Sequence, residues 1–178
     1  MPVLATNRTF LAGLGKLLEY PGQDFHAHFD RVLAQSDEMG PEIGAALYSF
    51  AQEASQFSVE HAQEMYTRAF DVNPLCVPYL SVHLFGQESF KRAELMTGLK
   101  AKYEARGFDY GAELPDHLSV VLQAVSCFSD DEWDELRTYC IEKPLAAMAA
   151  ALDRAASPWR HVVRAVQRAL SIGEEDHA

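Results

Sequence analysis

Positive charge is what this chain has least of: 15 Lys and Arg stand against 26 Asp and Glu, a formal net charge of -11 over 178 residues. Nucleic acid is therefore not the expected partner, because its phosphates must be neutralised by Lys and Arg. A basic or apolar peptide suits such a surface better. Cysteine is scarce too. Cys76, Cys127 and Cys140 are odd in number and include no CxxC pair, which excludes a disulfide framework and a thiolate metal site and fits a reducing compartment. Long apolar runs are missing: the longest low-polarity stretch, Pro144 to Leu152, is about half the ~20 residues a membrane span needs. The first residues lack a basic segment followed by an apolar one. The expectation is a soluble, cytoplasmic protein with no direct membrane insertion. Catalytic spacings are also absent, with no HExxH, P-loop, GxSxG or repeated Glu-x-x-His, so neither an enzyme nor a bound cofactor is expected. No stretch alternates with period two, which removes the sheet classes.

What remains is helical periodicity. With 48% hydrophobic and 23% charged residues the chain has material for one core. A first helix is expected from near Arg8, capped by Thr6 or Asn7, with Phe10, Leu11, Leu14, Leu17 and Leu18 on one face. A second starts near Asp24 and buries Phe25, Phe29, Val32 and Leu33. Its His26 and His28 are two residues apart, so their imidazoles diverge by about 200° and share no metal. A third runs from Pro41 through Ile43, Leu47 and Phe50 to about Gln56. A fourth, capped by Ser58, carries Val59, Ala62, Tyr66, Ala69 and Phe70. The sum is an all-α single-domain bundle of roughly eight to ten helices, one domain over residues 1–172 with a flexible tail at 173–178.

The densest stretch is YTRAFDVNPLCVPYLSVH, Tyr66 to His83. Pro74 and Pro78 fix two φ angles and remove two donors, so no helix runs straight through. A stiff apolar elbow is expected, followed by a short helix from Tyr79 to Phe85 that stops at Gly86. Cys76, between the prolines, reads as a packing thiol with a raised pKa. A long exposed helix then spans about Glu88 to Arg106, with Gly107 as its stop, and the turn FDYGAE follows.

That turn delivers Glu113-Leu114-Pro115-Asp116-His117, placed at the start of a helix through Leu118, Val121, Leu122, Val125 and Phe128. Pro115 suits N1, and Asp116 in the first turn has a sufficient explanation as a helix-dipole partner. Ser129 and Glu132 form a capping box for the next helix, with Trp133, Leu136 and Ile141 inward and a solvated acidic start. Pro144 kinks or restarts the chain. Ser157-Pro158 repeats the cap-and-proline signal for a last helix burying Trp159, Val162, Val163, Val166 and Leu170, with Arg160, Arg164 and Arg168 on its wet face. His61 and His161 read as surface or half-buried side chains.

Together, the two motifs resemble the signatures of the NarJ, DmsD and TorD superfamily of molybdoenzyme maturation chaperones. The similarity is greatest to the NarJ-like branch, also described as nitrate reductase delta subunit or molybdenum cofactor assembly chaperone. It rests on Tyr66, Phe70, Asp71, Pro74, Pro78, Tyr79, Ser81, His83, Leu84, Phe85 and Gly86, then on Glu113, Pro115, Asp116 and His117, about a third of the chain. The resemblance implies a TorD-like fold and a system-specific chaperone. Its partner would be the apo catalytic subunit of a DMSO-reductase-family molybdoenzyme, bound through an N-terminal or twin-arginine leader segment and held for molybdenum cofactor insertion before membrane docking or export. It implies a client-peptide site at Tyr66, Phe70, Pro74, Tyr79, Ser81, His83, Asp116 and His117, with only transient proximity to the client's cofactor.

The chain ends at Ala178 without the long charged extension of many respiratory nitrate reductase chaperones. The client stays open among nitrate reductase and relatives acting on selenate, chlorate, dimethyl sulfide or a hydrocarbon. A monomer is expected, with a swapped dimer as the alternative. Two other readings stand beside the chaperone: a metal-dependent helical enzyme using His83, Asp116 and His117, and a permanent subunit of a complex.

Overall fold

A computed structural model of the protein describes residues 2–54, 58–72 and 74–172, and the side chains from 7 onward. The helices are α1 (Pro2–Leu17), α2 (Phe25–Met39), α3 (Pro41–Ala54), α4 (Val59–Tyr66), α5 (Leu80–Phe85), α6 (Phe90–Ala105), α7 (Leu118–Gln123), α8 (Asp130–Leu136), α9 (Glu142–Arg154) and α10 (Trp159–Ser171). Two of them widen into π-type turns, Thr67–Asp71 after α4 and Arg137–Ile141 after α8, and α7 tightens into a 3₁₀ turn at Ala124–Cys127. The all-α expectation holds: a bridge between Tyr79 and His117 is the β pairing found among the described residues. The expected end of α3 at Gln56 and the tail at 173–178 lie outside them.

The apolar stripe of α1 makes it the central helix. Phe10, Leu11, Leu14, Leu17 and Leu18 are all buried, at about 1.5–3 kcal/mol of burial free energy per large side chain. They meet α7, α10 and α2. Close approach to α7 depends on Gly15, where an added Cβ would lie 2.8 Å from Leu122 Cβ and 2.9 Å from the Ser119 carbonyl oxygen. α3 packs between α2 and α10, and α9 packs against α10 and α5. Trp159, 1% exposed at the start of α10, is the hub of an aromatic array. Its ring centroid lies 5.8 Å from Phe25, 5.3 Å from Phe50, 5.6 Å from Tyr66 and 5.9 Å from Phe70.

Several local expectations are corrected. α1 starts at Pro2 rather than near Arg8, as suits proline at the first helical position. Asn7 does not cap it. Its Nδ2 donates instead to the carbonyls of Ala169 and Ile172, at 3.2 and 3.4 Å, and so closes the carboxyl end of α10. Ser157 does not cap α10 through its side chain, because its buried hydroxyl has no partner; its carbonyl accepts from Arg160 instead.

The arginine row of α10 is not simply wet. Arg160 pairs with Glu53, Arg164 with Asp153 and Arg168 with Glu42, tying α10 to α3 and α9. His161 is buried, with Nε2 3.0 Å from Glu53. By contrast, the expected side-chain cap at Ser58 and the capping box of Ser129 and Glu132 are present.

Gly15→Ala is expected to destabilise the fold by about 1–3 kcal/mol, since the methyl group must push α1 off α7. Chemical denaturation of the two proteins measures this directly.

Candidate functional site

The elbow is built as a wall. The π-type turn ending α4 leaves the chain at Asp71, and the Cys76 amide returns to the Ala69 carbonyl at 3.0 Å. Cys76 is 2% exposed and burial pushes its thiol up to about 12, so it packs rather than reacts. His83 reaches back from α5 and sets Nε2 2.8 Å from the Val77 carbonyl oxygen. Its imidazole fastens the elbow.

The second motif docks on the first, backbone to backbone. The Leu118 amide donates to the Pro78 carbonyl at 2.9 Å and the Leu80 amide to the Asp116 carbonyl at 3.0 Å, flanking the Tyr79–His117 bridge. The expectation that Pro115 opens the helix with Asp116 in its first turn is corrected. α7 begins at Leu118, and both residues lie in the preceding turn. Asp116 is fully buried, and its Oδ2 accepts from the Ser81 amide at 3.1 Å and from the Ser81 hydroxyl. The carboxylate is a cross-link between motifs, not a dipole partner.

The cap of α7 is His117 itself. Its Nδ1 accepts from the Ser119 amide at 3.2 Å and lies 2.7 Å from the Ser119 hydroxyl. This arrangement assigns the ring proton to Nε2. Burial lowers the pKa of His117, against the opposing pull of Glu113, Asp116 and Glu19. The helix is also shorter than expected: it tightens at Ala124 and ends before Phe128.

The loop before this motif hangs on Tyr103, buried at the end of α6. Gly107 takes a positive φ of 65° to end α6. Phe108 and Tyr110 then place their ring centroids 5.5 and 5.4 Å from Tyr103, whose hydroxyl donates to the Pro115 carbonyl at 3.0 Å.

Between this loop, the elbow and the end of α1 opens a cleft of about 790 Å³. Six Tyr and Phe rings line it, those of Tyr20, Tyr66, Phe70, Tyr79, Phe108 and Tyr110, together with the His117 imidazole, the carboxylates Glu19, Asp71, Asp109 and Glu113 and one ammonium, Lys16. Lys16 is already paired with Glu19, which also accepts from Gln123 at 2.7 Å. The cleft is acidic and aromatic. Tyr79 lines it with its hydroxyl donating to Glu113 at 3.1 Å; burial and then Glu113 push that phenol up to about 12.

Of the client-site residues expected from sequence, Tyr66, Phe70, Tyr79 and His117 line the cleft. Tyr66 is also a core residue, its hydroxyl donating to the Leu18 carbonyl at 3.0 Å. Ser81 and Asp116 lie behind the wall, Pro74 is exposed on the elbow, and His83 serves the elbow; none of these four is among the lining residues. Sequence reasoning named Asp71 and Glu113 as motif residues without placing them in the site, and it missed Glu19 and Tyr20 and also Phe108 and Tyr110, whose aromatic-x-aromatic spacing in a glycine-flanked turn was the available signal. His83, Asp116 and His117 are each committed to a protein partner. Among the described residues no group of three or more His, Cys, Asp or Glu is placed to hold a metal ion, and no described helix is long and apolar enough to cross a membrane.

The sequence profile described as "Nitrate reductase delta subunit" matches residues 36–165, more than half of the chain and including both motifs. The chain belongs to that family. It is a maturation chaperone of the nitrate reductase delta type, not a catalyst. A crystal structure of a candidate redox enzyme maturation protein from Archaeoglobus fulgidus has the same fold. The TM-score is 0.64 at 21% identity, over 92% of this chain and 93% of that one. Among curated proteins, none matches.

The lowered pKa of His117 carries a stability signature. Below the ordinary value of 6.5 the unfolded chain takes up a proton that the folded imidazole refuses until lower pH. The contribution is therefore complete above that value and declines as pH falls toward the lowered folded value. His117→Asn can still cap α7 and is expected to show a flatter stability profile just below pH 6.5, measured by urea denaturation at stepped pH.

Proposed function

We propose that the cleft receives the N-terminal segment of the apo catalytic subunit of a DMSO-reductase-family molybdoenzyme, nitrate reductase or a close relative. The chaperone holds that subunit for molybdenum cofactor insertion before membrane docking or export. One observation carries the reading. Both motifs that mark the family meet through paired backbone hydrogen bonds, and the surface they build together is the acidic, ring-lined cleft.

The chemistry supports a peptide that carries cationic and apolar side chains. Arg and Lys pair with carboxylates, and Arg also stacks on aromatic faces, gaining ~0.5–2 kcal/mol per contact. With Nδ1 of His117 occupied by Ser119, its Nε2–H is the donor offered to a client carbonyl. Ordering a flexible leader costs ~2–5 kcal/mol, which suits micromolar affinity, about -8 kcal/mol, and a client that must be released.

The test is capture from the native host under gentle conditions, with mass spectrometry of what is bound. Recovery of a large molybdoenzyme subunit in its cofactor-free form is the expected result, and recovery of only the cofactor-loaded enzyme would favour a permanent subunit instead. Asp71→Asn with Glu113→Gln removes two cleft charges outside the core and is expected to weaken capture about tenfold, ~1.4 kcal/mol. Wild-type binding should also weaken with added salt, which screens the cleft carboxylates.

A further inference from the structure

The outer half of α6 is lightly packed, with Leu95 resting on the core as a partly buried side chain. From Phe90 to Gly98 none of its residues is buried, and the first buried side chains are Leu99 and Tyr103. What reaches inward is Arg92. Its Nε donates to the Ser81 hydroxyl at 2.9 Å, and its Nη1 donates to the Gln87 carbonyl at 3.3 Å. The same Ser81 hydroxyl donates to Asp116. One hydroxyl thus accepts from a guanidinium and donates to a fully buried carboxylate, whose other oxygen has no partner.

We propose that Arg92 is a positioning residue for the cleft, its cation offsetting the buried Asp116 charge through Ser81 and so fixing Tyr79 and His117 at the cleft wall. The chain connectivity makes this tie consequential. Ser81 is two residues after Tyr79 and Asp116 is one before His117, and both neighbours line the cleft. A carboxylate buried without compensation is costly. The Ser81 amide and hydroxyl stabilise one oxygen, and Arg92 polarises that hydroxyl from behind. Loss of the cation leaves a negative charge inside the joint that holds the two motifs in register, and the joint is expected to loosen. The proposal rests on the client-site reading for its functional half and on geometry alone for the tie.

The experiment is a double-mutant cycle on the full chain, with Arg92→Met, Asp116→Asn and the pair, followed by thermal and chemical denaturation. Arg92→Met is expected to lower Tm by roughly 5–10 °C, the scale for stranding a buried charge in a protein of this size. The double variant is expected to be no less stable than Asp116→Asn alone, since an amide needs no cation. Arg92→Lys, which keeps the charge, is expected to recover most of the loss. Additive effects of the two substitutions, or no recovery by Lys, would overturn the tie and leave Arg92 a packing residue.

The functional half is read on the same proteins by capture from the host. Arg92→Met is expected to retain less than a tenth of the subunit that wild type captures, with Arg92→Lys close to wild type. Full capture by Arg92→Met, with the coupling still present, would overturn its part in the site. If wild type itself captures no molybdoenzyme subunit, the client reading falls, and the denaturation cycle still decides the tie.

Discussion

A single buried carboxylate holds the two parts of the site together. Asp116 has no exposed surface, yet it takes a backbone amide and a hydroxyl from Ser81, on the far side of the elbow. The paired hydrogen bonds between Pro78 and Leu118 and between Leu80 and Asp116 are short-range and directional, so they fix register. The carboxylate gives the pairing its cost of failure, because separating the motifs would strand a charge in a low-dielectric interior. Tyr79 and His117 face each other across the joint at a centroid separation of 5.3 Å. The cleft wall is therefore rigid at its centre and adjustable at its rim, where Glu113 and Asp71 are exposed.

How much of this could be read in the sequence depends on whether the signal was local. The helices and their inward faces were legible because each depends on spacing within a few residues: the α1 leucines, the Ser58 cap and the Ser129 and Glu132 box. Asn7 was misread because its partners lie 162 and 165 residues away, and a polar residue near a helix start looks like a cap whether or not it is used as one. The arginines of α10 follow a surface-like period, but the acids they meet are on other helices.

The site divides along the same line. Tyr66, Phe70, Tyr79 and His117 could be named from motifs, since family resemblance marks residues without needing their positions. Asp116 was named as well, although its role was not, because a carboxylate after N1 proline satisfies the dipole argument completely. Glu19, Tyr20 and Tyr110 could not be found this way. They come from the end of α1 and from a turn about ninety residues later, and only the tertiary path over Tyr103 brings them to one cavity.

The widened turn at Thr67–Asp71 has a consequence for how the family's sequences can vary in length. A π-type turn carries one residue more than the α-helical turn it replaces, and each residue in an α-helix rotates the faces that follow by about 100°. Removing one residue between Tyr66 and Phe70 would let α4 continue as regular helix with the faces that follow nearly in register, because the wide turn is what absorbs the extra residue. Alignments of relatives should therefore tolerate a one-residue gap in this stretch better than one inside the regular turns of α1, where it would rotate the buried leucines off the core. Substitution can vary the chemistry of the wall, and a one-residue change of length at the wide turn can vary its breadth while Phe70 keeps its side of the helix.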